Sequence, residues 1–165
     1  MQCRKLLFAA WLFGCATATA PAAQSSTVLD VPFFSQLDTR WKDNSLGGGP
    51  LTIETDGCTM TAAAMALAYY NFNLTPATYN EWLTSHNGYT SDYLFYWSKI
   101  GEYSGQAVKD VALNGAIRSQ IDSGYPVIAK TEIPLHWVVI VGYRTTSEGS
   151  TAEYYVHDPL QSSGP

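Results

Sequence analysis

Cysteine, histidine and charge are all scarce in this chain. It has three cysteines and three histidines in 165 residues, and only 14% of the side chains are charged. Two of the cysteines, Cys3 and Cys15, fall within the first fifteen residues, and the histidines stand at 86, 136 and 157. No cysteine pair remains downstream for a structural disulfide, and no Cys/His grouping has metal-site spacing. No cofactor or metal is therefore expected. A basic run with interleaved aromatics is also missing, which removes nucleic acid from the expected partners. No apolar stretch is long enough to span a bilayer. Gly47-Gly48-Gly49 lacks a following Gly-Lys-Ser/Thr, so it reads as loop punctuation and not as a phosphate cradle. Internal repeats and low-complexity tracts are absent as well.

What is present suits one globular domain with a single core. Hydrophobic residues make up 46% of the chain, which argues against disorder. The net charge of −5 selects no substrate. Residues 1–20 read as an export signal: Arg4 and Lys5 form the positive end, Leu6 to Phe13 the apolar run, and Ala16 to Ala20 the small-residue cleavage region. The protein is accordingly expected to be secreted, periplasmic or held at the cell surface. Leu12-Phe13-Gly14-Cys15 resembles a lipoprotein signal, which would acylate Cys15 and anchor the chain. Phe13 is bulky for its place there, so ordinary cleavage is preferred. Residues 21–27 read as a polar tether, and 28–165 as the domain. With the leader gone, Cys58 is the one cysteine left.

Along the domain, Val28 to Phe34 reads as a strand and Asp38 to Glu54 as a long loop. Cys58 to Tyr70 is rich in Ala, Met and Leu and predicts a helix, with Asp56-Gly57 where a cap belongs. Ala62, Met65, Ala66 and Tyr69 share one face, and alanines on the other sides imply close neighbours all round. Thr75-Pro76 opens a helix running to Ser85. Asp92 to Ile100 predicts a third helix and Ala112 to Ser123 a fourth, with Leu113, Ile117 and Ile121 on one face and Gly124 ending it. Pro126 to Thr131, His136 to Tyr143 and Thr151 to His157 read as strands, the last two joined by the loop Thr145 to Ser150. Helices first and strands later give an α+β class with segregated layers. The dense aromatics between Tyr69 and Tyr103 are expected mainly to fill the core.

Three chemically capable residues fall at element ends. Cys58 opens a helix, where unpaired amides and the helix dipole favour a thiolate. Asp56 would oppose that if it pointed at the sulfur, so it is expected to cap the helix or face solvent. A hairpin turn centred near Ser147 and Glu148 brings His136 across from Asp158 to within about a residue of register. A carboxylate there can hydrogen-bond the imidazole and fix its tautomer. Read structurally, each residue has a plainer role: a small buried thiol, a strand end, and an Asp-Pro turn starter. His157 is a rival base, but strand alternation points it to the opposite face. His86, beside Asn87-Gly88, reads as surface. Gln36 is a candidate donor to a developing oxyanion, together with the Cys58 amide. Cys, His and Asp in this order suit a thiol nucleophile, its base and the base's orienter.

Five ordered blocks carry a resemblance. They are Val31-Pro32-Phe33-Phe34-Ser35-Gln36 to Trp41; Gly57-Cys58-Thr59-Met60-Thr61 into Ala62 to Met65; Gly124-Tyr125-Pro126-Val127-Ile128; His136-Trp137-Val138-Val139 to Gly142-Tyr143; and Val156-His157-Asp158-Pro159. Together they resemble secreted relatives of the bacteriocin-processing, double-glycine-leader cysteine peptidases. The resemblance implies a papain-like fold, with an N-terminal helical part whose nucleophile helix packs on a C-terminal antiparallel sheet. It also implies Cys58 as nucleophile, His136 as base and acid, Asp158 as orienter and Gln36 as oxyanion donor. Thr59-Met60 replaces the Gly-Pro that often follows the nucleophile and is expected to narrow the cleft. The spacing from Gln36 to Cys58 is longer than in the leader peptidases. Such relatives continue past the equivalent of Pro165, so a truncated domain is expected.

The function expected is an exported cysteine hydrolase cleaving peptide or amide bonds. Two other readings stay open: a catalytically silent papain-like binding module, and a cysteine amidase or transferase acting on cell-wall peptides. The double-glycine preference belongs to transporter-fused relatives and is not carried over.

Overall fold

The computed structural model describes residues 24–105, 116–132 and 135–164. The expected leader, Leu113 and the start of the expected fourth helix lie outside them. The elements are β1 (Ser26–Val28), a 3₁₀ turn (Leu46–Gly48), α1 (Ile53–Asp56), α2 (Cys58–Tyr69), α3 (Pro76–Ser85), α4 (Ser98–Ser104), α5 (Ala116–Asp122), β2 (Val127–Thr131), β3 (His136–Thr145) and β4 (Thr151–His157). The class is α+β.

β3 organises the antiparallel sheet. Ile140 pairs with both Val127 and Val156, and Gly142 with both Val28 and Tyr155. A residue has only two hydrogen-bonding edges, so β1 and β2 share one edge of β3 end to end, and β4 takes the other. At Gly142 a side chain would collide with the Thr27 carbonyl, 2.4 Å from where its Cβ would sit. Glycine lets β1 close onto that edge.

α2 lies between the other helices and the sheet. Met60, Ala63, Ala64 and Leu67 join Trp41, Leu46, Ile53, Tyr79 and Leu83 in the helical core. Ala62 and Met65, with Tyr69 at the margin, meet Val31, Val139 and Val141. Alanine on both faces permits this double burial, as the sequence implied. Ile140 instead packs with Ile117 and Ile121 of α5, which strand alternation puts on the far side of the sheet. Tyr143, three residues on, joins them because the β3–β4 register shifts between Ile140 and Gly142.

Several boundaries differ from expectation. The strand foreseen at Val28 to Phe34 is Ser26–Val28, so it begins within the expected tether. After Val28 the chain leaves the sheet, and the Val31 amide donates to the Leu29 carbonyl. Pro32, which has no N–H to offer a ladder, follows at once. The expected loop from Asp38 to Glu54 contains the 3₁₀ turn and α1, whose start is fixed by a reciprocal Thr52–Thr55 capping box. The helix foreseen at Asp92 to Ile100 is displaced to Ser98–Ser104. Thr90 is the reason: its Oγ1 accepts from the Asp92 and Leu94 amides, and Tyr93 sits at φ 62°. α3 begins and ends as expected, with Thr75 capping the Thr78 amide.

Candidate active site

The start of α2, the start of β3 and the loop after β1 bring Cys58, His136 and Gln36 to one cleft. Cys58 is the first residue of α2 and is partly exposed. Gly57 is its N-cap and supplies no side chain, so the first-turn amides are not capped from that position. Of the two places expected for Asp56 it takes the second: it ends α1, is exposed to solvent without capping α2, and lines the cleft. A Cβ on Gly57 would fall 2.4 Å from the Ile53 carbonyl oxygen, so only glycine lets α1 turn this tightly into α2.

His136 opens β3 and is buried, and it lines the same cleft as Cys58 and Gln36. Its Nε2 donates to Asp158 Oδ1 at 2.5 Å. A carboxylate only accepts, so Nε2 carries the proton and Nδ1 keeps the lone pair. This contact does not come from the register foreseen. The observed pairs are Val139 with His157 and Ile140 with Val156, and continuing them would set Asp158 opposite Val138, two residues from His136. The turn after β4 closes the gap. Asp158 Oδ1 also accepts from the Leu160 amide at 2.8 Å, which bends the carboxylate back over the sheet end.

Gln36 is almost fully buried. Its Nε2 donates to the Glu54 carbonyl at 2.7 Å, which fixes the amide's orientation, since the reverse flip would oppose two oxygens. One Nε2 hydrogen remains. The backbone around Gln36 is pinned from two sides. The Gln36 amide and the Ser35 hydroxyl both donate to the Pro159 carbonyl, and Trp41 Nε1 donates to the Ser35 carbonyl at 2.7 Å. Trp41 and Pro159 therefore tie the oxyanion candidate to the segment carrying the acid. Sequence reasoning kept both inside its blocks without seeing that role; an indole at fixed distance from Ser-Gln was the available signal.

Aromatic residues build one wall. Tyr89, Tyr93 and Phe95 line the cleft, so the aromatic stretch is divided between core and site. Tyr79 is the fully buried member. The Tyr89 hydroxyl donates to Asn80 Oδ1 at 2.6 Å, and burial pushes its phenol well above the ordinary range. Thr59 and Met60 also line the cleft, at the positions where narrowing was expected. His157 is elsewhere: it borders a separate groove with Asp30 and Tyr155, its ring edge-on to Phe33 at 5.4 Å. Alternation along β4 turns it away from the cleft. His86 is exposed and stacks on Trp82.

A family model described as the Peptidase_C39 like family matches residues 28–165. The chain belongs to that family. No curated protein and no solved structure matches the chain. As a Peptidase_C39-like chain it is a cysteine peptidase-like domain, and its α+β architecture agrees with the papain-like fold that this membership implies. No group of three or more potential ligands could hold a metal ion, and no helix is long and apolar enough to cross a membrane, among the described residues.

Proposed function

We propose that this chain is an exported thiol hydrolase cleaving peptide or amide bonds, with Cys58 as nucleophile, His136 as base, Asp158 as orienter and Gln36 as oxyanion donor. One observation carries the reading: a thiol, an imidazole and a carboxamide border a single cleft, with a carboxylate bonded to Nε2 of the imidazole. His136 Nδ1 takes the Cys58 proton, and the thiolate attacks the carbonyl carbon. The free Gln36 Nε2 hydrogen and the Cys58 amide donate to the oxyanion. His136 then protonates the leaving amine, and water hydrolyses the thioester. Asp158 holds the ring in the tautomer that leaves Nδ1 free and stabilises the imidazolium. Export rests on the leader-like residues 1–20, with anchoring through Cys15 as the alternative route.

Exposing the full chain to an iodoacetamide probe, then mapping the adduct by mass, tests activation, site and leader removal together. Cys58 is expected to label much faster than free cysteine at neutral pH; an ordinary rate would count against an activated thiolate. Cys58→Ala is expected to abolish turnover of a fluorogenic peptide library without loss of fold. Undiminished hydrolysis by that variant rejects the nucleophile.

A further inference from the structure

The lining of the cleft has a selective chemistry apart from its reacting groups. Among the described residues Asp56 is the single carboxylate in that lining, and no lysine or arginine accompanies it. Among the described residues it enters no ion pair; Lys42 engages Glu54 and Asp43 instead. The opening is also apolar. Leu94, Leu135 and Leu160 are 63%, 71% and 40% exposed, and all three border this one cleft. Single exposed leucines need no explanation, but three converging on one opening mark a surface that something covers. Tyr93 stiffens the wall behind them. Its φ of 62° is a strained conformation for a bulky residue. Its ring lies against Gly49, where a Cβ would fall 2.0 Å from the ring's Cε1. A wall held in place against strain selects shape better than a soft one does.

We infer that this cleft accepts peptides carrying a large apolar side chain beside the scissile bond and a cationic side chain near it, and disfavours acidic peptides. This rests on the hydrolase reading only for the presence of a scissile bond; the selection itself is one of binding. The apolar contact leads, since apolar fit in a pocket discriminates by about tenfold or more. The exposed Asp56 adds about three- to fivefold, and salt screens that part.

Three fluorescent peptides of equal length test the inference: one with leucine flanked by lysines, one with leucine flanked by glutamates, and one with serine flanked by lysines. Each is titrated against Cys58→Ala protein, alone and combined with Asp56→Asn or Leu135→Ser. The Leu/Lys peptide is expected to bind about tenfold tighter than Ser/Lys and about fivefold tighter than Leu/Glu at low salt. Asp56→Asn should close the gap between lysine and glutamate and leave the gap between leucine and serine, and Leu135→Ser the reverse. Equal affinities, tightest binding of Leu/Glu, or gaps unmoved by both variants would overturn the inference. If wild-type protein cleaves none of the peptides while the ranking holds, the selection stands and the hydrolase reading falls. If it cleaves all three with one kcat/KM, the hydrolase stands and the selection falls.

Discussion

Asp158 uses one oxygen for two tasks, since Oδ1 accepts both the His136 ring proton and the Leu160 amide. An asparagine can present the same oxygen to both donors and turn its NH₂ away. Asp158→Asn is therefore expected to lower kcat less than about tenfold, and Asp158→Ala about a hundredfold, in steady-state assays of the same peptide. Equal losses would show that the negative charge, and not the acceptor geometry, is what His136 needs. Gln36 makes a different prediction. Its amide is oriented by the Glu54 carbonyl before any substrate arrives, so Gln36→Ala should lower kcat by about 10²–10³ with KM little changed. A change in KM alone would make Gln36 a binding residue. All four candidates were named from sequence, and their roles belong to the proposal above; how His136 and Asp158 meet was not legible. The turn centre read from sequence lies slightly early: Thr145 pairs with Thr151 and Val139 with His157, the same register at both ends of the ladder, so Asp158 does not face His136 and the Asx turn makes the contact.

At the scale of elements, the legible helices are those with strong local signals. Thr75-Pro76 and the alanine-rich run after Cys58 predict α3 and α2 to within a residue at each end. α4 was displaced because side-chain bonding by Thr90 outweighs the helical pattern that follows it. Gly105, at φ 67°, ends α4 and was the visible clue to its true position. α1 is a single turn set by two threonines, too short for periodicity to register. It nevertheless positions Cys58, because the carbonyl of its first residue, Ile53, abuts Gly57. Gly57→Ala would force Cβ onto the Ile53 carbonyl and push α2 away from α1. The expected cost is about 1–3 kcal/mol in chemical denaturation, with slower labelling of Cys58. Unchanged stability together with unchanged labelling would show that the junction relaxes freely.

For the molecule as a whole, the α+β class was readable from helices preceding strands, and so was a central helix buried on two sides. The position of α5 across the sheet was not, because Ile117 and Ile121 carry an apolar face without saying which layer it covers. Nor could the sequence show the second groove, where His157 stands in contact with Phe33. His157 Nδ1 is buried without a hydrogen-bond partner among the described residues, although Asp30 and Tyr155 share that groove. Burial lowers its pKa below the ordinary 6.5, because the charged ring would lose hydration with nothing to replace it. The sign follows from proton counting. Well above 6.5 neither the folded nor the unfolded chain protonates this ring appreciably, and the folded chain holds it neutral. Below that value the unfolded chain takes up the proton while the folded chain resists, so stability falls as pH drops toward the folded pKa. Thermal unfolding followed between about pH 8 and pH 5 should show that decline, and His157→Phe, which keeps a ring against Phe33 but cannot titrate, should flatten it. An unchanged slope in the variant would assign the acid sensitivity to other groups and leave His157 a packing residue only.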